Sequence, residues 1–133
     1  MDQSLTNLFA KYQNHLAFSS CPRIASVHDV GTMDETLLNL AVIDQAYEDI
    51  LLLIQHGADV NKKGEMGFTP VQNACFNGNV AILEILLAHG ANPNIKNELG
   101  NQAEDFVTDD RHGKKKAKEM MALLKYYKNH QSK

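Results

Sequence analysis

Residues 67–94 read GFTPVQNACFNGNVAILEILLAHGANPN. Thr69-Pro70 opens an apolar run as a helix N-terminus does. The Thr69 hydroxyl can accept from the free N–H groups of a first turn, and Pro70 suits the first helical position because its missing N–H has no partner to lose there. The stretch also recurs. Thr36 and Thr69, Ala41 and Ala74, Gly57 and Gly90, Ala58 and Ala91, and Asn61 and Asn94 are each 33 residues apart, and Gly67 and Gly100 carry the interval onward. A fixed period of this length makes a repeat architecture, whose units bury their apolar faces only against their neighbours.

Within each period the pattern predicts two short helices and a projecting turn. The first pair falls near Leu37–Asp44 and Tyr47–His56, the second near Pro70–Asn77 and Val80–His89. In the helix over 47–56, Ile50, Leu53 and Ile54 point inward, and Leu51 and Leu52 widen the stripe. Gly57 and Gly90 follow as left-handed C-terminal residues, where the absent Cβ removes a steric penalty. Gly78 separates the second pair. Ala58–Phe68 and Ala91–Asn101 become the turns between repeats.

Gly67-x-Thr69-Pro70, Ala74, Gly78-Asn79, Ile82-Leu83-x-Ile85-Leu86-Leu87 and Gly90-Ala91-Asn92-x-Asn94 together resemble an ankyrin repeat. The copy over 34–66 keeps Thr36, Leu38, Ala41, Ile50, Leu52-Leu53 and Gly57-Ala58-Asp59-x-Asn61, with Asp34 in place of the opening Gly and Leu37 in place of the Pro. The copy from Gly100 keeps Gly100, Asp105 and the apolar pair Phe106-Val107. The resemblance implies an all-α, helix-turn-helix solenoid with projecting turns and helical caps. Its organisation is a single domain: an N-terminal cap over 1–33, repeats over 34–66 and 67–99, and a divergent repeat with a basic helix over 100–133.

The ends read less regularly. After Ser4, a possible cap, Leu5, Leu8, Phe9, Tyr12 and Leu16 share one helical face and cover the edge of the stack. Ser19-Ser20-Cys21-Pro22 breaks this helix. Ile24, Val27 and Val30 have helical spacing, yet the conformation of residues 19–33 stays open. The third repeat's helix is expected to end near Asp109-Asp110, with Arg111-His112-Gly113 as a joint. Lys114–Tyr127 is then a helix with Ala117, Met120, Met121, Leu124 and Tyr127 inward, and Asn129–Lys133 a frayed tail.

With 133 residues, 44% of them hydrophobic, the chain has the size of one domain and can bury a core. No apolar run approaches membrane-spanning length, and the first residues show no secretory pattern. Cys21 and Cys75 read as reduced thiols of a cytoplasmic protein. Residues 1–110 carry fifteen acids against five bases, and residues 111–133 carry eight bases against Glu119 alone. An acidic body beside a basic last helix favours cationic partners and raises their rate of encounter.

Catalytic and metal signals are missing from the pattern. His56 and His89 are 33 apart and each precedes a Gly, which is repeat periodicity at helix ends and not ligand spacing. Glu104-Asp105 and Asp109-Asp110 are neighbours that do not face each other on a helix. The expectation is a chain with no catalysis, no metal and no cofactor. Lys114-Lys115-Lys116, Lys118, Lys125 and Lys128 could form a phosphate-binding patch for nucleic acid, but they read better as a solvated face balancing acidic neighbours. Tyr126 and Tyr127 come late for base stacking and look partly buried.

The ankyrin resemblance implies a concave face, made by turn tips and inner helices, that binds another protein. By repeat register it takes Glu35, Ile43 and Asp44; Glu65, Met66, Phe68, Phe76 and Asn77; and Lys96, Glu98, Leu99, Asn101, Asp109 and Asp110. Large apolar side chains in an acidic rim are what an interface centre contains. Phe68 and Phe76 could instead pack on each other. The expected function is a protein–protein interaction module, monomeric on its own, that binds a cationic partner. It could act as a stoichiometric inhibitor, such as an immunity protein for a basic toxin. The alternatives are a scaffolding adaptor in a multi-protein assembly and a nucleic-acid binder acting through the Lys-rich helix.

Overall fold

The structure, a computed structural model, describes residues 3–15, 18 and 23–130. Leu16, the Ser19–Pro22 break with Cys21, and residues 131–133 of the expected tail lie outside them, whereas Asn129 and His130 are not frayed and still belong to the last helix. Among the described residues there are seven α-helices: α1 (Gln3–Gln13), α2 (Leu37–Ile43), α3 (Tyr47–Gln55), α4 (Pro70–Asn77), α5 (Val80–Ala88), α6 (Asp109–His112) and α7 (Lys114–His130). They stack in two rows. In the inner row α2 packs on α4, and α4 on a single 3-10 turn over Ala103–Phe106. The outer row holds α3, α5 and α7, with α1 against α3. The chain is therefore a helix-turn-helix solenoid, as its period predicts.

Each inner helix starts on the same chemistry. Thr36 accepts from Asn39 N–H at 2.9 Å, and Thr69 accepts from Gln72 N–H at 3.3 Å while Gln72 Oε1 accepts from Thr69 N–H. The second pair is a capping box, which satisfies two backbone donors that the helix leaves without partners. The side chain three residues after the cap then reaches into the next repeat. Asn39 Nδ2 donates to Phe68 O, and Gln72 Nε2 donates to Ile95 O at 2.7 Å and Asn101 O at 3.2 Å. Both side chains are buried. Between them Leu37, Ala41, Ile50, Leu53, Ala74, Cys75, Ile82, Leu83 and Leu86 lose all contact with solvent.

The turns are hairpins that repeat with the same interval. Gly31 N–H donates to Glu35 O, Gly64 N–H to Phe68 O and Asn97 N–H to Asn101 O, each within 2.8–2.9 Å. The earliest lies in the stretch whose conformation the sequence leaves open. Residues 23–30 hold no helix there; Ile24 and Val27 are buried beneath them, and Val30 bridges Thr36. Helical spacing of Ile24 and Val27 thus arises without a helix, because a folded-over loop can also bury two residues three apart, while Val30 is exposed.

Five expectations fail in detail. Ser4 lies inside helix α1, described over Gln3–Gln13, and is not its cap. The third repeat's inner helix does not run to Asp109-Asp110: it stops as the 3-10 turn at Phe106, Val107 is extended, and Thr108 caps a new helix by accepting from Arg111 N–H. Arg111 and His112 consequently belong to α6, and only Gly113, at φ 85°, is the joint. On α7, Ala117, Met120 and Leu124 are buried, but Met121 is 40% exposed, on the side of this helix that no described element covers. Leu51 likewise faces outward.

Candidate functional site

The hairpin tips and inner helices form one continuous face. Glu98 N–H donates to Met66 O at 3.0 Å, which fastens the third tip to the second. Gly67, at φ 76°, sits against Asn97 and Glu98, where an added Cβ would meet the Glu98 backbone nitrogen. Glu35 fastens the second tip to the first. Its Oε1 accepts from Thr36 N–H at 3.1 Å and from Glu65 N–H at 3.4 Å.

That role corrects the placing of Glu35 among surface residues. It is buried, and it belongs to the framework because a carboxylate held by two backbone donors stays folded in. The exposed acids are Asp44, Glu65, Glu98, Asp109 and Asp110, and Lys96 is exposed beside them. Asn77 is exposed and donates to Ile43 O, joining α4 to α2. Asn101 is half-buried, with its N–H on Asn97 Oδ1 and its carbonyl on Gln72.

The apolar residues divide. Ile43, Met66, Phe76 and Leu99 are all well exposed, from 43% to 61%. Ile43 and Phe76 occupy the same place in successive repeats, as do Met66 and Leu99. Phe68 is half-buried, so it is partly core. Phe68 and Phe76 both pack on Phe106, at 5.2 Å and 6.2 Å between ring centres, and Phe106 stands between them.

Three participants lie outside the sequence-derived set. Phe106 is the base of the aromatic group. Arg111 lies over Phe76, its guanidinium carbon 4.2 Å from the ring centre. Met33, 64% exposed at the first tip, completes the row of Met66 and Leu99; its position 33 residues before Met66 was the available signal. Met33 and Met66 both sit at positive φ, 62° and 58°, a conformation that a long side chain adopts at a cost. Arg111 had no such signal, because its place depends on where the third inner helix breaks.

Chemical groups elsewhere have structural partners. His89 Nδ1 lies 2.7 Å from Ile85 O, as a helix-end residue, and His112 Nε2 lies 3.1 Å from Phe106 O, with its ring against Gly78. Cys75 is a buried free thiol whose pKa burial pushes up to about 12, so it remains neutral and protonated. The Tyr12 hydroxyl is pushed up by burial and by its 2.9 Å hydrogen bond to Asp49. Among the described residues no three His, Cys, Asp or Glu side chains gather as metal ligands, and no helix is long and apolar enough to cross a membrane. A cleft of about 360 Å³ lies against α1, lined by Thr6, Phe9, Gln13 and Ile24 among others, and shares no residue with the hairpin face. On α7, Lys114, Lys115, Lys116, Lys118 and Lys125 are exposed, and Lys128 pairs with Glu104 at 3.0 Å. Tyr126 is 55% exposed and not partly buried as expected, because it lies on the solvent side of this last helix.

Comparison with known proteins gives a family and a partial relative. The family model described as ankyrin repeats (3 copies) matches residues 8–97. The SMC5-SMC6 complex localization factor protein 1 of Homo sapiens is 36% identical over 87 residues, which is 61% of this chain and 8% of that protein. Its counterpart from Bos taurus is 34% identical over the same length and shares. The matched stretch thus spans about a twelfth of these relatives.

Proposed function

The chain belongs to the ankyrin-repeat family, whose repeats are protein–protein interaction modules, and we propose on that premise that it binds its partner through the hairpin and inner-helix face without catalysis. The observation that carries this reading is the set of exposed apolar side chains at repeat-equivalent positions, Ile43 with Phe76 and Met66 with Leu99, set among Asp44, Glu65, Glu98, Asp109 and Asp110. Nothing in the stacking of repeats requires large apolar groups there. An apolar centre supplies affinity by desolvation, and an acidic rim selects a partner with a cationic surface.

Two uses of such a face follow. A stoichiometric inhibitor, for example an immunity protein for a basic toxin, covers its partner's site and needs only this face. An adaptor needs a second surface, and the exposed lysines of α7 offer one. The relatives are named for localising a complex, which supports the adaptor reading. The chain is proposed to be an intracellular, cytoplasmic monomer with its buried thiol reduced. Nucleic acid as the partner of α7 remains the weaker proposal: its one exposed ring, Tyr126, lies edge-on against Tyr127 and is not interleaved with the lysines.

The test is affinity capture with the wild-type chain, Ile43→Asp and a Lys115→Glu, Lys118→Glu double variant. Loss of a captured protein with Ile43→Asp alone supports the face and the inhibitor use. Loss of one protein with Ile43→Asp and a different one with the α7 variant supports the adaptor. A set unchanged by Ile43→Asp refutes the face.

A further inference from the structure

The hairpin face already carries a cation over its aromatic group, and that cation is its own. Phe76 is 45% exposed and its ring stands edge-on to Phe106, which in turn packs on Phe68. One side of Phe76 therefore has a fixed aromatic support, and the guanidinium of Arg111 covers another at 4.2 Å. Arg111 shares α6 with Asp109 and Asp110, yet among the described ion pairs it takes part in none. The guanidinium rests on the ring in preference to a neighbouring carboxylate. Helix α6 is a single turn between the Thr108 cap and Gly113, and an isolated turn holds little stability of its own.

We infer that Arg111 stands in for a partner's arginine, so that the partner of this face is a basic segment whose guanidinium displaces Arg111 from Phe76. The inference rests on the reading of the face as the binding site and adds the chemistry of what enters it. Guanidinium suits the place because it is flat, weakly hydrated and stacks on aromatic faces, and Arg is enriched at the energetic centres of interfaces. The surrounding Asp44, Glu65, Asp109 and Asp110 attract the same charge, and each is exposed. An exposed cation–π contact is worth about two- to fivefold in an equilibrium constant. Arg111 therefore occupies the ring most of the time, but a partner can displace it. By the same arithmetic it lowers the partner's apparent affinity by a similar factor.

The probe is a short fluorescein-labelled peptide of alternating Arg and Gly, read by fluorescence anisotropy against its citrulline counterpart, which keeps the shape and loses the charge. The Arg peptide binds the wild-type chain more tightly than the citrulline peptide, and Phe76→Ala narrows that difference by about two- to fivefold, leaving what the acidic rim supplies. Arg111→Ala tightens binding by about two- to fivefold, and Arg111→Lys tightens it by less, since an ammonium still covers the ring but stacks on it less well than a guanidinium. Thermal melting confirms that the variants stay folded. Weaker binding by Arg111→Ala overturns the inference, because Arg111 would then be holding the site together. So does Arg111→Lys binding like wild type, because net charge alone would then explain Arg111→Ala, and so does failure of the Arg peptide to bind any form. If these fail while Ile43→Asp still abolishes capture of the natural partner, the face stands and only the displacement falls. If Ile43→Asp has no effect either, both readings fall.

Discussion

Replacing Gln72 with Ala tests how one repeat holds the next. Gln72 is 1% exposed and makes three hydrogen bonds: Nε2 to Ile95 O at 2.7 Å, Nε2 to Asn101 O at 3.2 Å, and Oε1 from Thr69 N–H at 3.4 Å. The Ala variant keeps its own N–H on the Thr69 hydroxyl, so half of the capping box survives. Each lost bond costs about 0.5–1.5 kcal/mol, with the longest contributing least. Deleting the buried stem adds roughly 1 kcal/mol of transfer and cavity energy. The expected loss is therefore about 2–4 kcal/mol, a large share of the roughly 5–15 kcal/mol that a domain has. Urea unfolding should show the midpoint falling with the slope unchanged. Amide exchange should speed up at Asn97, Leu99 and Asn101, whose hairpin Gln72 holds, before it does at Ile50 or Leu53. A loss below about 1 kcal/mol, or exchange that rises evenly across the chain, would refute the idea that this side chain ties the hairpin to α4.

Four other outcomes are expected. Leu86→Ala, at a fully buried position, should cost roughly 2–5 kcal/mol in denaturant unfolding, and an unchanged curve would contradict the packing of α5. Gly64→Ala should lower the melting temperature although φ is −107°, because its Cβ would collide with Glu35 Oε1 and Asn39 Nδ2; a neutral result would mean that Glu35 does not bind there. Phe76→Ala should leave melting nearly intact and weaken partner binding, whereas Phe68→Ala should lower the melting temperature as well; equal melting for both would contradict the division between surface and core. Cys75 has a folded pKa of about 12 against about 9.0 for a free thiol, so its contribution to stability is complete below pH 9 and is lost as pH rises from 9 towards 12. The loss approaches about 1.4 kcal/mol per pH unit. Tyr12, also pushed up, adds to it, so Cys75→Ala should flatten the alkaline fall of the melting temperature without abolishing it.

The stack was legible because its determinants are local and repeated. Thr69, Pro70, Gly78 and Gly90 act within one turn of chain, and α4 spans Pro70–Asn77 as the sequence predicts. The long-range ties were not legible. Glu35 looks like a surface acid until Gly64 leaves a space for its carboxylate, and no local rule reports what lies opposite a side chain. The break at Phe106 was missed for a related reason. Beyond the last full repeat, stacking on one side alone decides how far a helix runs, and Thr108 offers an alternative start that the apolar pattern does not record. Arg111 reaches Phe76 only because of that break. Ile43, Met66, Phe76 and Leu99 were found by position in the period, which marks what the core does not need.

Binding of the natural partner to the wild-type chain and to Phe76→Asp, compared by calorimetry, addresses the hairpin face most directly. The account predicts stoichiometric binding by the wild type and at least about a tenfold loss with Phe76→Asp, which places a charge at an apolar interface centre. It also predicts unchanged binding by Lys115→Glu at this same site. Full affinity in Phe76→Asp, with the loss appearing in Lys115→Glu, would contradict it and move the binding site to α7.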